Sequence, residues 1–337
     1  MEAINLKKPY EVELIDVEES KLKEGNALIK IKSASICGSD VGAYRGTNVL
    51  VTYPRILGHE IAGEVVSIGQ NSRDIKVGDR VVIDPYIFCN DCYPCSIGRT
   101  NCCEDLKVLG VHIDGGMVEY FQHPQELLHK VPDNIPWNLA PLAEPLTIAL
   151  HSIHRGRVKE GEFVTIIGAG PIGLLASLVA LDYKAKPILI DILQERLDFA
   201  KSLGVEYTIN PKSEDALNII KEITNGMMSQ VVIEASGSNQ AIRNTYDYVS
   251  YAGRIVYTGW PNSNTEIPTA IITKKELDVR GSRTSVNEFQ EALEMISGNR
   301  INVRAIISKI VSLKELPESL INMSENPEKY LKIIALF

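Results

Sequence analysis

The sequence predicts an α/β protein of two domains, a β-rich first part and a doubly wound parallel sheet behind it. Its 337 residues suit two domains of roughly 150 residues each. Over about the first 140 residues, "NALIKIKSAS", "HEIAGEVVSIG" and "DRVVIDPY" alternate or cluster β-branched residues between "EG", "IG" and "VGD" turns. Near "PDNIPWNLAPLAEPL" the texture changes, with four prolines from Pro132 to Pro145 and helix formers after them. From Glu162 onward, apolar strand runs alternate with helical segments: "FVTIIGAG", "IGLLASLVALDY", "PILIDI", "QERLDFAKSLG", then "QVVIEAS", "RIVYTGW" and "LDVRGSR". A strand–helix–strand rhythm of this kind builds a parallel sheet with helices on both faces. One more helix, "VNEFQEALEMISGN", precedes a tail ending in the strand-like "YLKIIALF".

Thirty-five basic residues against forty-three acidic ones leave a formal charge of −8. No basic run offsets that repulsion, so nucleic acid and anionic membranes are not expected partners. The first residues lack the apolar core of a secretory signal, and the stretch "IGLLASLVAL" falls short of the roughly 20 residues of a membrane span. A cytoplasmic protein is expected, and in a reducing compartment cysteines seldom serve as structural disulfides.

"GAGPIG" places Gly168, Gly170 and Gly173 in G-x-G-x-x-G spacing at the junction of a strand and a helix that starts with Pro171 and Ile172. Asp191 ends the next strand, 18 residues beyond Gly173. The first glycine permits a tight turn, the second lets backbone approach a pyrophosphate, and the third lets helix pack on strand. The helix N-terminus adds amide donors and a positive dipole for the anion. Asp191 can accept from both ribose hydroxyls and repels a 2′-phosphate, and Ile192, Leu193 and Gln194 bring no cation. The expected cofactor is NAD. Arg196 lies in reach of the adenine side, where a surface salt bridge explains it equally well.

Five of six cysteines crowd into "CNDCYPCSIGRTNCC". Cys89, Cys92 and Cys95, closed by Cys102 or Cys103, have the spacing of a tetrahedral zinc held by four thiolates. Such a site is structural, because no position stays open. Adjacent side chains in extended chain point oppositely, so only one of the last two faces the metal, and spacing does not choose between them.

Cys37 remains, in "SICGSD", with His59 and Glu60 adjacent in "LGHEIAGEVV" and Glu144 in "AEPL". Each alone reads as an ordinary core residue; together they suggest a second zinc with the three protein ligands and open position of a catalytic site. With the lobe consuming four thiols, its remaining ligand is a carboxylate, Glu60 or Glu144. The cation would act as a Lewis acid, acidifying an alcohol so that its carbon can release hydride to nicotinamide.

The motifs "CGSD", "GHEIAGEVVSIG", "VGDRV", the cysteine lobe, "AEPL" and "GAGPIG" resemble the zinc-containing medium-chain dehydrogenases of the sorbitol and threonine dehydrogenase type, over nearly the whole chain. The resemblance implies a GroES-like β-barrel catalytic domain over 1–145, with the zinc lobe at 86–104. It implies a Rossmann domain over 146–285 and a return to the catalytic domain over 286–337. It selects Cys103 as the fourth structural ligand. It makes Cys37, His59 and Glu60 the catalytic ligands, with Glu144 a direct or water-mediated fourth group. Relatives often carry a relay histidine two residues after the "CGSD" aspartate, where this chain has Gly42. Ser39 can still pass the proton, with water as the next acceptor. A homodimer or homotetramer is the family expectation.

"GRTNCCE", "VLGVHIDGGMVEY" and "KKELDVRGSR" further resemble the bacterial L-galactonate and L-gulonate 5-dehydrogenases. A sugar-acid carboxylate needs a cation, for which His112, Arg283 and Arg45 are the candidates. A turn-stabilising role competes for His112, an ion pair for Arg283 and plain solvation for Arg45. Polyols or L-threonine are the alternative substrates. A catalytically silent sensor or structural relative is the alternative of another class, and broken ligands would mark it. Glu234 at a strand end has only its position in its favour, while His123, His129, His151 and His154 read as structural.

Overall fold

The computed structural model describes residues 1–18, 21–69 and 74–337. Its contacts divide into two compact units. The first comprises Met1–Glu144, Phe289–Asn299 and Val303–Phe337, and the second comprises Pro145–Glu288 and Arg300–Asn302.

In the second unit the strands Phe163–Ile167, Lys186–Ile190, Tyr207–Ile209, Ser229–Glu234, Val249–Tyr257 and Asp278–Gly281 form one parallel sheet among the described residues. Numbered one to six along the chain, they lie in the order 3-2-1-4-5-6, which is the dinucleotide-binding arrangement with its crevice between the first and fourth strands. Strand one pairs on both sides, Ile166 facing Leu189 and Ile233. The inner strands are covered on both faces and largely apolar at their centres, where Val164, Ile188, Val232 and Ile255 are all fully buried. The helix Pro171–Asp182 is apolar around most of its circumference because Gly173 to Ala180 are buried. Two surface helices start on side-chain caps, Asp215 accepting from Asn218 N–H and Ser238 from Ala241 N–H.

In the first unit the main sheet runs through the strands Leu128–Lys130, Arg80–Ile83, Glu60–Ile68, Asn26–Ser35, Lys332–Leu336 and Ile307–Ser312, in that order. Tyr120–Pro124 adds to the Asn26–Ser35 strand. The tail "YLKIIALF" thus returns to the middle of a sheet built by the first part of the chain. Ser35 pairs with Glu60 on one side and Ile334 on the other, so three strands bring their ends together. Two apolar clusters pack in this unit, one including Ile4, Leu6, Ile36, Leu57 and Ile333, the other including Ile29, Ile61 and Val81.

The histidines outside the site hold structure. His123 Nε2 meets the Asp84 carbonyl at 2.8 Å, and His129 stacks on Phe289 at 4.5 Å. In the second unit, His151 and His154 donate through Nδ1 to Glu288 at 2.8 and 3.2 Å. Burial pushes the Glu288 carboxyl up, but these bonds outweigh it and hold its pKa down at about 2. A carboxyl lowered this way stabilises the fold above its ordinary value near 4.5 and loses that contribution as pH falls through 2. Glu288→Gln should therefore lower stability at pH 7 by an amount on the order of 2 kcal/mol, seen as a lower Tm, and flatten the fall of Tm between pH 4.5 and 2. A melting series whose acid limb parallels that of the parent would contradict the assignment.

Candidate active site

Cys89, Cys92, Cys95 and Cys103 converge. Cys92 Sγ lies 3.4 Å from Cys95 Sγ and 3.9 Å from Cys103 Sγ, and Cys103 Sγ lies 3.5 Å from Cys89 Sγ. Zinc bonds of about 2.3 Å set the sulfur–sulfur edges of a tetrahedron at roughly 3.8 Å, so the four are spaced around one ion. All six cysteines are free of disulfides. The N–H groups of Asp91 and Cys92 point at Cys89 Sγ, and that of Cys89 at Cys103 Sγ, which favours sulfurs carrying negative charge. Cys103 is buried, whereas Cys102 stands outside the group with its sulfur against Arg99.

The second cluster joins Cys37, His59 and Glu60, whose ligand atoms lie within 4.8 Å of one another. Cys37 caps the short helix Gly38–Tyr44, and its N–H donates to Asp40 Oδ2 at 2.9 Å. His59 and Glu60 stand where the Glu60–Ile68 strand begins. His59 is buried, and its Nδ1 has no hydrogen-bond partner among the described residues, Asp40 Oδ1 being 3.8 Å away. A buried imidazole with a bare nitrogen, beside a thiol and a carboxylate, fits a metal cation. Burial lowers the His59 pKa, but the charges of Asp40, Cys37 and Glu144 override it and raise it well above the ordinary value. That imbalance is an excess of negative charge around an unpaired base.

Glu144 is buried nearby and accepts from the Tyr86 hydroxyl. Burial, seconded by the charge of Glu60, pushes its carboxyl up to about 7. It does not belong to the group whose ligand atoms approach within 4.8 Å, which sets it apart from Glu60. Ser39 Oγ lies 3.3 Å from His59 Nε2. The place of the relay histidine is held by Gly42, where a Cβ would only touch Asn48 at 3.5 Å and Thr47 Oγ1 at 3.6 Å, so the site lacks a relay side chain without being closed to one.

Four residues that sequence patterns left unassigned complete the site. Asp40 supports Cys37 and faces His59, while Tyr86 holds Glu144. Ser35 donates to Glu60 Oε2, and the buried ammonium of Lys332 donates to Glu60 Oε1. A lone lysine inside the apolar tail was the one available signal for Lys332.

Of the proposed substrate cations, Arg45 is committed elsewhere. Its guanidinium donates to Ser324 Oγ at 2.9 Å and to the Ser324 carbonyl, tying the Gly38–Tyr44 helix to Leu316–Glu325. His112 Nδ1 accepts from Val108 N–H at 3.1 Å within its own turn. Arg283 is exposed just past the strand Asp278–Gly281. Glu234 accepts from Ser236 and Gly237 N–H groups, so it shapes its own loop.

In the second unit, Gly168 takes a φ of +107°, which favours glycine. A Cβ on Gly173 would lie 1.7 Å from the Gly168 carbonyl, which makes this the close helix–strand contact. Gly170 is open, with only Arg196 Nη1 at 3.9 Å from where a Cβ would stand, and it precedes the helix Pro171–Asp182. Asp191 Oδ2 accepts from Ala169 N–H at 2.6 Å, which places the carboxylate beside the glycine turn.

A four-thiol lobe, a separate thiol–imidazole–carboxylate centre and a glycine cradle on a 3-2-1-4-5-6 sheet define a zinc-type alcohol oxidoreductase. The alcohol dehydrogenase GroES-like domain family matches residues 23–133, and the zinc-binding dehydrogenase family matches residues 171–298. The chain belongs to the zinc-type medium-chain dehydrogenase/reductase family and is an NAD-dependent, zinc-containing oxidoreductase.

An uncharacterised zinc-type alcohol dehydrogenase-like protein of Haemophilus influenzae is 57% identical over 100% of this chain and 99% of its own. The L-galactonate-5-dehydrogenase of Escherichia coli is 35% identical over 88% of this chain and 87% of its own. The L-threonine 3-dehydrogenase of Pyrococcus furiosus is 36% identical over 91% and 90%. The crystal structure of an Escherichia coli alcohol dehydrogenase, rspB, complexed with NADH superposes with a TM-score of 0.93 at 33% identity, over 100% of this chain and 99% of that one.

Because Cys103 is buried within the thiol group and Cys102 is not, Cys103→Ala should lower Tm by several degrees more than Cys102→Ala. Equal losses would reverse the choice of ligand.

Proposed function

We propose that this chain oxidises the C5 hydroxyl of a six-carbon aldonate of the L-galactonate or L-gulonate class, with NAD as oxidant. The observation that carries the substrate class is the placement of "GVHIDGG". Gly115 N–H donates to the Ile56 carbonyl at 2.8 Å and Gly116 N–H to that of Gly58 at 3.0 Å. A Cβ on Gly110 would approach Gly58 N to 2.8 Å. The stretch that resembles the hexonate dehydrogenases is therefore packed, backbone on backbone, against the segment that ends in His59 and Glu60. The L-galactonate relative supports the same reading.

When bound, zinc supplies a Lewis acid for the hydroxyl oxygen and NAD supplies the hydride acceptor. Cys37, His59 and Glu60 hold that zinc, with Glu144 as the nearby carboxylate, and Cys89, Cys92, Cys95 and Cys103 hold the structural one. Ser39 Oγ takes the hydroxyl proton and passes it to water, because Gly42 supplies no relay side chain. Gly168, Gly170 and Gly173 shape the turn for the pyrophosphate at the N-terminus of Pro171–Asp182, where Pro171 and Ile172 form the first turn. Asp191 accepts from the adenosine ribose. Arg196 lies beside Gly170. Arg283 is the cation for the substrate carboxylate, His112 keeps Nδ1 as the acceptor of Val108 N–H and so offers at most a neutral Nε2–H, and Arg45 acts as a brace.

L-galactonate or L-gulonate should exceed sorbitol and L-threonine in kcat/KM by about tenfold or more, a cost of the order left by one unmatched charged contact. The threonine reading has its own support in the near-equal identity of the L-threonine relative. Hexitol or threonine turnover equal to that of L-galactonate would remove the case for a carboxylate pocket. Elemental analysis should find two zincs per chain, and one zinc with no turnover would leave a silent relative. Cys37→Ser and Glu60→Gln should lower kcat by roughly 100-fold or more with NADH affinity within about twofold of the parent. Loss of NADH binding in these variants would contradict separate metal and dinucleotide sites.

A further inference from the structure

Lys332 opens the terminal strand Lys332–Leu336 and is only 2% exposed. Its ammonium donates to Glu60 Oε1 and, at 3.4 Å, to the Ile36 carbonyl. The other oxygen of Glu60 accepts from Ser35. Glu60 is fully buried, so both its oxygens are engaged by protein even though it belongs to the group spaced for a metal. A ligating carboxylate commonly accepts one supporting hydrogen bond, but here both oxygens are taken, one of them by a full positive charge. A buried ammonium also repels a dication held by the same carboxylate.

We propose that Lys332 is a positioning residue that competes with the metal for Glu60, so that the carboxylate binds weakly and the metal keeps a position open for substrate. The proposal rests on the reading of Cys37, His59 and Glu60 as a zinc site. Without the ammonium, Glu60 donates its whole charge to the metal, which is then held more tightly and is a poorer Lewis acid. A merely structural lysine predicts the reverse: its loss leaves a buried carboxylate that takes up a proton, and the metal loosens.

The direction of the change decides between them. Zinc release from the purified holoenzyme to a chromophoric chelator resolves two sites, and Cys37→Ser identifies the phase that belongs to this one. Lys332→Met should slow that phase by about tenfold, the scale on which partners of metal ligands act. Lys332→Gln keeps a donor, drops the charge and should slow release likewise, which preserves the test if the methionine variant fails to fold. Lys332→Arg should restore the parent rate. Release as fast as the parent's, or faster, in the glutamine variant overturns the proposal, as does an arginine variant as slow as the glutamine one. If Cys37→Ser holds as much zinc as the parent, the metal reading itself fails and Lys332 falls with it. If it holds one fewer and the Lys332 variants release zinc normally, only the role of Lys332 fails.

Discussion

Glu60 is fully buried, yet it faces an ammonium, a hydroxyl, a thiol and an imidazole, and this one carboxylate ties the central sheet to the reactive centre. Its backbone pairs with Ser35, whose next neighbour across the sheet is Ile334 in the terminal strand. The groups that hold its side chain thus come from the next two strands on one side of it, Ser35 from the neighbour and Lys332 from the strand beyond. Ordinary sheet pairing delivers three polar side chains to one point, although Lys332 lies 272 positions beyond Glu60. A register slip of one residue in any of these strands would turn its polar group to the opposite face and leave the others buried without partners. Sheet register and metal chemistry are therefore one constraint.

Thiol supply divides the two metal centres. The lobe uses Cys89, Cys92, Cys95 and Cys103, and Cys102 faces Arg99 outside it. The other centre has a single sulfur, so it draws negative charge from carboxylates. Asp40, Glu60 and Glu144 all lie within electrostatic reach of His59, and burial raises the pKa of Asp40 and Glu144. Lys332 offsets part of that charge, and a dication would offset the rest. The lobe, by contrast, satisfies its sulfurs with one another and with backbone N–H groups, which suits a closed site.

Much of this was legible in the sequence because its chemistry is local. The thiols lie within fifteen residues, Cys37 and His59 announce themselves by their glycine-flanked motifs, and the G-x-G-x-x-G turn sits between strand and helix. Asp191 could be placed because the alternation of strand and helix fixes where a second strand ends. What escaped was carried by long-range pairing. Lys332 meets Glu60 only because the tail returns to the sheet, and Tyr86 meets Glu144 across 58 positions. Arg45 shows the converse error: closeness to "CGSD" in sequence put it near the chemistry, while Ser324, 279 residues away, takes its guanidinium. The choice between Cys102 and Cys103 likewise needed coordinates, since adjacent residues differ only in the direction of their side chains.

The glycines around His59 explain why this centre can stay rigid without bulky neighbours. Gly58 takes a φ of +103°, and a Cβ on it would approach Met117 N to 2.8 Å. A Cβ on Gly115 would lie 2.2 Å from the Gly58 carbonyl. The two segments meet through backbone, linked by hydrogen bonds from Gly115, Gly116 and Met117 to Ile56, Gly58 and Leu57. Contacts of this kind have few soft degrees of freedom, because peptide planes cannot change rotamer as side chains do. His59 therefore inherits its direction from a backbone clamp, and Glu60 from strand pairing beside it. The backbone thus sets where the two ligands start, and Ser35 and Lys332 set how the Glu60 carboxylate is turned and charged, beside the apolar clusters that include Ile36 and Ile61.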